Sequence, residues 1–425
     1  MKHALAVCVL LVGCGSNGSD TAHRDPGLEP VVASPTDLAP NPNGAVSGTY
    51  PAFSPSVPQI ASLGGRILTS PRLISITYPG DPLAGDVDKF VAKLGGSDYF
   101  TAATSEYGIA AATSGTPIHL TESAPTGIDD AQIQSWISSK FQGTNPEWGM
   151  PDPNTVYIIH YPSGTTVTLN HGSSCRDFSG YHSSVNLPGG AALAYAVIPR
   201  CPVGQIGGTA VTTLLDVVTA AGSHEIIESI EDPEPMSAPG YRTFDANHLP
   251  WVMLGGEAGD LCAQEPESFF KPDSLGYAVQ GCWSNKAASA FHNPCSPTSS
   301  GSYFNSALVT TADVDFDLVM NTGAPMPTKG FKIAAGQSET IEVDLFSDAP
   351  TSGPWTLHAS DVMTLLSGTP SNLGFSFDRD SGQNGEKLYL TVKVLGPSAN
   401  GFELFLVTSH LGGTMHEWFG MIEVD

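Results

Sequence analysis

Residues 209–232 read T-A-V-T-T-L-L-D-V-V-T-A-A-G-S-H-E-I-I-E-S-I-E-D. The first half is apolar on nearly every side, and the second half carries His224, Glu225 and Glu228 in an H-E-x-x-E pattern. In a helix of about 3.6 residues per turn, positions four apart lie roughly 40° from each other. His224 and Glu228 therefore point the same way, with Glu225 roughly 100° round. Leu215, Val218, Gly222, Ile226 and Ile230 fill the opposite arc. Asp232-Pro233 ends the helix, because proline cannot continue the hydrogen-bond ladder.

An imidazole and two carboxylates on a buried helix are costly unless they are paired or share a cation. The pattern predicts zinc-hydrolase chemistry. His224 and Glu228 would bind Zn²⁺, a third protein ligand would complete the site, and the fourth position would hold a water with Glu225 as general base. The third ligand is expected downstream. Asp260 is favoured, followed by Glu257, Asp232 and His248. Asp260 lies in G-G-E-A-G-D-L-C, residues 255–262, where glycines allow close backbone approach. A carboxylate-rich donor set keeps Ca²⁺ as the alternative ion. The bland reading is a core histidine with Glu228 and Glu231 on a solvated face.

The chain of 425 residues is long enough for two or three cores. Its 42 acidic against 17 basic residues, a net charge of −25, argue against nucleic acid or an anionic membrane face as partners. Its 46 glycines and 34 prolines favour loop-rich, β-rich structure.

Lys2 precedes an apolar run from Ala4 to Val12, which fits a signal sequence and is too short for a membrane span. The run ends in Leu11-Val12-Gly13-Cys14, which resembles a bacterial lipobox, so residues 1–13 are expected to be removed and Cys14 lipidated. Five cysteines then remain: Cys175, Cys201, Cys262, Cys282 and Cys295. An oxidising compartment would join four of them in two disulfides. The expected pairs are Cys175–Cys201 and Cys262 with either Cys282 or Cys295.

Residues 14–60, rich in Pro, Ser, Asn and Gly, are expected to form a flexible tether. Residues 61–297 are expected to form an α+β domain. Strands are predicted at 72–78, 118–121, 155–161 and 191–199, with 155–161 and 165–169 as a strand pair. Helices are predicted from Asp86, over 97–107 and over 129–141. After a linker at 296–303, residues 298–425 carry short alternating runs at 331–333, 338–346, 355–359, 388–394, 402–408 and 418–424. That spacing predicts an immunoglobulin-like β-sandwich, a spacer or binding module. His410 and His416 flank Gly412-Gly413 and are expected in a loop, satisfied or solvated.

Residues 64–295 resemble the EXORDIUM, or phosphate-induced, protein family. The matching pieces are Gly64-Gly65-Arg66-Ile67-Leu68-Thr69, Val156-Tyr157-Ile158-Ile159, Cys175, Gly180-Tyr181-His182, and Tyr195-Ala196-Val197 before Cys201-Pro202. Ser223-His224-Glu225-Ile226-Ile227-Glu228, Asp232-Pro233, Trp251 and Gly259-Asp260-Leu261-Cys262 follow in order. The resemblance implies an extracellular protein with a zincin-like helix in which Glu replaces the second histidine, and it brings His182 near the site. The lipobox and the C-terminal domain depart from the plant members.

Together these observations predict an exported, lipid-anchored, zinc-dependent hydrolase of peptidase type. It would be monomeric and would act on a peptide or cell-surface polymer in the periplasm or at the cell exterior. The alternative is a non-catalytic surface protein with a structural metal that binds glycan or cell-wall material.

Overall fold

The computed structural model describes residues 44–142, 145–242, 245–297, 301–316 and 326–424. The signal sequence, Cys14 and most of the expected tether lie outside them. The chain is built mainly from β-sheet, with few helices.

The first half centres on a sheet ordered Thr113–Ser114, Arg72–Thr77, Thr155–Tyr161, Ala192–Pro199, Tyr181–Asn186, with Ile118–His119 also on Arg72–Thr77. Only Tyr181–Asn186 runs antiparallel, along the edge beside Ala192–Pro199. Parallel strands covered on both faces read as continuous apolar runs, and every residue of Thr155–Tyr161 is buried. Alternate side chains enter two cores. Leu73, Val156, Ile158, Ala194 and Ala196 meet helices α1 (Ala84–Leu94) and α4 (Leu214–Glu231). Ile74, Ile76, Tyr157, Ile159 and Tyr195 meet α3 (Asp130–Lys140), through Ile133 and Ile137. The sheet is thus largely parallel, with α1 and α4 on one face and α3 on the other.

Local signals explain the helix ends. Ser97 caps α2 (Asp98–Thr104), which tightens into a single turn and stops at Gly108 in the left-handed region. Asp129 and Gln132 form a capping box on α3, and Thr213 and Asp216 form another on α4. The second box starts the long helix at Leu214, later than residue 209. Asp86 lies in the first turn of α1 and is not its cap. Thr166–Leu169 pairs with Gly127–Asp129 and Gly172–Ser173 instead of with Thr155–Tyr161. Its alternating exposure suits a small half-solvated sheet and not a fully covered one.

The second half stacks two sheets. One is ordered Phe304–Leu308, Ser338–Ser347, Lys387–Val394, Leu373–Phe377. The other is ordered Ala312–Phe316, Met326–Lys332, Thr414–Glu423, Phe402–Leu411, Trp355–Asp361, Ser381–Gly382. Trp355, Leu345, Val392 and Phe405 are fully buried between them. Four strands, 304–308, 312–316, 373–377 and 381–382, escaped the sequence pattern. The apolar core continues from this sandwich into the first half, where Trp251 packs its ring against Trp418 and Phe419.

The expected tether differs where it is described. Asn384 binds its backbone, taking the Ala52 N–H and donating to the carbonyls of Ser47 and Thr49. Ala52, Phe53 and Ile60 are buried, and Ile60 N–H is held by Asn285. Residues 44–60 are therefore a strap across both halves, because their few apolar side chains find pockets.

The disulfides are Cys175–Cys201 and Cys262–Cys295, leaving Cys282 as a buried thiol. Two such cross-links fit a protein exported to an oxidising compartment. Among the described residues, no helix is long and apolar enough to cross a membrane.

Candidate metal centre

Helix α4 is buried from Asp216 to Glu231, so its polar side chains must find partners inside the fold. His224 Nε2 lies 3.1 Å from Glu228 Oε2 and 3.5 Å from Asp260 Oδ1. One ligand atom from each of these residues falls within 4.8 Å of the others. Zn–N and Zn–O bonds near 2.0–2.2 Å at tetrahedral angles require donor atoms about 3.3–3.5 Å apart. The observed spacing is close to that, so the residues fit a small divalent ion.

Hydrogen bonds fix which atom of each residue faces the centre. Glu228 Oε1 accepts the N–H groups of Gly259 and Asp260, both at 3.0 Å, which turns Oε2 toward His224. Gln280 donates its Nε2 to the Gly259 carbonyl at 2.6 Å, so its Oε1 must face His224 Nδ1, 3.0 Å away. That oxygen can only accept, so Nδ1 carries a proton and Nε2 is the nitrogen that faces the centre. The Ser223 hydroxyl accepts the Gln280 N–H and positions this amide in turn.

Two glycines admit the Asp260 loop. A Cβ on Gly259 would sit 2.6 Å from His224 Nδ1 and 2.8 Å from Glu228 Oε1. Gly255 has a φ of +122°, and a Cβ there would strike the Asp260 carboxylate. The Cys262–Cys295 disulfide anchors the loop two residues beyond Asp260.

Glu225 Oε1 lies 4.0 Å from His224 Nε2, beside the three-residue group and outside it. Its other oxygen lies 3.6 Å from His182 Nδ1. His182 stands on the antiparallel edge strand and faces Glu228 as well, at 3.6 Å, with Glu257 3.6 Å from its Nε2. His182, Glu228 and Glu257 form a second three-residue group that shares Glu228 with the first. Glu257 therefore serves His182 and Arg242, which it meets at 3.0 Å, and does not approach His224. Sequence spacing gave no reason to join His182 to the helix. Only its place in Gly180-Tyr181-His182 pointed to it.

Two other expected ligands join no three-residue donor group among the described residues. Asp232 closes the end of α4, accepting the Gly240 N–H and pairing with Arg242. His248 is tied to Asp245 and to the Ser56 carbonyl. The Asp232 carbonyl instead lies 3.0 Å from His182 Nε2, and the turn carrying His248 reaches the strap through Ser56.

The centre has an excess of negative charge. Burial alone would lower the His182 pKa, but Glu257, Glu225 and Glu228 outweigh it and hold it at about 10. His224 is also pushed well above its ordinary value, against the effect of burial, by Glu228 and Glu225. Burial and then Glu228 push Glu231 well up, and both its carboxylate oxygens lack a hydrogen-bond partner. A divalent cation would relieve this imbalance.

A cleft of about 990 Å³ opens over the cluster. His182, His224, Glu225 and Asp260 line its floor, while Asp361, Met363, Asn372, Asn400 and Glu403 of the sandwich form a wall. The second half of the chain thus borders the site directly.

No family model matches the chain, and no curated protein matches it. Some solved structures are similar over short stretches. Domains 4 and 5 of the S-layer protein SbsC are 13% identical, with 28% of this chain and 53% of that one covered and a TM-score of 0.17. The titin M3 domain is 14% identical, covering 23% of this chain and 88% of that one, at a TM-score of 0.16. A Bacteroides ovatus GH5 xyloglucanase is 16% identical over 23% of this chain and 17% of that one, at 0.15. Scores this low carry no argument about fold or site, so the reading of this chain rests on its own residues.

Proposed function

We propose that the chain is an exported, lipid-anchored, zinc-dependent hydrolase of peptidase type, with a zincin-like first domain. The observation that carries this reading is the Glu228 carboxylate. It is held on one oxygen by two backbone N–H groups, and its other oxygen is aimed with His224 Nε2 and Asp260 Oδ1 at one point on the floor of an open cleft. His224, Glu228 and Asp260 would hold Zn²⁺, with Ca²⁺ the alternative for so carboxylate-rich a set. When bound, the ion supplies Lewis acidity toward a scissile carbonyl and toward water. The protein's own part is proton transfer and positioning. Glu225, beside the donor group, would accept a proton from the attacking water and return it to the leaving nitrogen. His182, between Glu225, Glu228 and Glu257, would keep the Glu225 carboxylate turned toward the floor. The sandwich wall would bind an extended chain of peptide or cell-surface polymer laid along the cleft. The motifs shared with EXORDIUM-like proteins agree with an extracellular setting, and Cys14 would supply the anchor.

Glu225→Gln tests the reading. The variant should keep its zinc and lose about 10²–10⁴-fold of its turnover of casein or a peptide library. Undiminished turnover in Glu225→Gln, or zinc content unchanged in His224→Ala, would defeat it. Zinc bound with no turnover of any peptide would favour a surface protein with a structural metal.

A further inference from the structure

A separate imidazole–carboxylate cluster, sharing no residue with those of the cleft, lies at the junction of the two halves. Glu265 caps the turn Pro266–Ser268 of the first half, Glu267 lies within it, and His416 stands on the strand Thr414–Glu423 of the sandwich. His416 Nδ1 lies 3.1 Å from Glu265 Oε2 and 3.4 Å from Glu267 Oε1. One donor atom from each falls within 4.8 Å of the others. His416 is 1% exposed and Glu265 5%. Despite this burial, His416 Nδ1, Glu265 Oε2 and Glu267 Oε1 all lack a hydrogen-bond partner, and all three point into the same gap. Leaving such atoms unsatisfied is expensive in a protein interior.

The surroundings offer little compensation. Glu417 is buried beside the cluster and adds a third carboxyl group. Among the described residues, no lysine or arginine forms an ion pair with Glu265, Glu267 or Glu417. A protonated imidazole could balance one carboxylate only. The side chains are nevertheless held in place. The rings of Tyr303 and Phe304 stand edge-on to the His416 ring at 4.7 and 5.0 Å. The Ser268 hydroxyl donates to the Cys262 carbonyl, and Gly281 N–H binds the Ser268 carbonyl, so the turn carrying both glutamates is braced by the disulfide loop.

The geometry points to a structural zinc site formed by Glu265, Glu267 and His416, which fastens the sandwich to the first domain. One nitrogen and two carboxylate oxygens suit Zn²⁺, and separations of 3.1 and 3.4 Å are close to the roughly 3.3–3.5 Å that tetrahedral coordination requires. The ligands come from both halves, so the ion would cross-link them and stabilise the wall of the cleft. The site is sealed by aromatic rings and does not line the cleft, which suits structure and not turnover. It does not depend on the hydrolase reading.

The test uses the full chain, stripped with chelator and then supplied with Zn²⁺ alone. Wild type should take up two equivalents, and His224→Ala should keep one. Glu265→Gln combined with Glu267→Gln should lose one, since these changes preserve shape and remove only charge. Zn²⁺ should raise the Tm of His224→Ala by about 5 °C, and this rise should vanish when the two Gln substitutions are added. An unchanged zinc count in a folded Glu265→Gln/Glu267→Gln variant overturns the proposal. Crystals of the wild-type chain grown with Zn²⁺ give a readout that needs no variant. Anomalous density among Glu265, Glu267 and His416 upholds the site, and its absence there overturns the site whatever is found at His224.

Discussion

Leaving aside the His182 group that shares Glu228, two separate clusters among the described residues pair one histidine with two carboxylates, and they differ in what their backbone supplies. At His224, Glu228 and Asp260, one side of two of the ligands is already engaged, by Gln280 on the imidazole and by the Gly259 and Asp260 N–H groups on Glu228. The free side faces a cleft. At Glu265, Glu267 and His416, the free atoms face one another in a closed space walled by Tyr303 and Phe304. The same residue types can therefore serve an open site or a sealed one. Outer-shell hydrogen bonds and access decide which, more than the donor list does.

The loop between the clusters gives the strongest way to break this contrast. Cys262 lies between Asp260 of the first and Glu265 of the second, and its disulfide to Cys295 constrains both. Changing Cys262 and Cys295 together to alanine should cost about 2–5 kcal/mol of stability. It should also weaken Zn²⁺ uptake at both clusters, as denaturant melts and metal titration would reveal. Loss at one cluster alone would mean that the loop is not their common support.

Gln280→Leu should separate the two. It removes the acceptor that fixes the His224 tautomer and frees the Gly259 carbonyl, so zinc affinity at the first cluster should fall about 10–100-fold. Affinity at the second should not change. Competition with a chromophoric chelator would measure both, and equal losses would show that Gln280 acts through the fold as a whole.

The smallest effect is a pH dependence of the metal-free protein. The folded His182 pKa, about 10, stands above the 6.5 of the free side chain. Its contribution to stability is then complete below pH 6.5 and lost as pH rises toward 10. The Tm of chelated protein should fall across that window, and His182→Gln should flatten the decline. A chelated protein whose Tm rises with pH would contradict the charge balance described for this centre.

Part of this was legible in the sequence because it is local. The period of residues 209–232, the proline after Asp232, the helical spans over 97–107 and 129–141, and the apolar run at 155–161 are all short-range signals. The glycines around Asp260 were informative for the same reason, since a missing Cβ signals close approach before the partner is known. The C-terminal strands at 338–347 and 402–411 were found by alternation, but 304–308 was not, because it is buried on both faces and does not alternate. Gly412-Gly413 predicts a loop around His416, yet that pair is a tight turn and His416 lies in the strand opposite Ser409.

By itself, then, the sequence determined the helix that carries His224, Glu225 and Glu228, the sheet-forming runs beneath it and the β-rich second half. Each rests on residues a few positions apart, where periodicity and capping act. Tertiary structure alone decided that Asp260 joins His224 while Asp232 and His248 do not, and that His182 reaches Glu225 from an edge strand. It also decided that Glu265 and Glu267 meet a histidine about 150 residues away. Those pairings are set by how sheets stack and where a disulfide pins a loop, and no spacing along the chain records them.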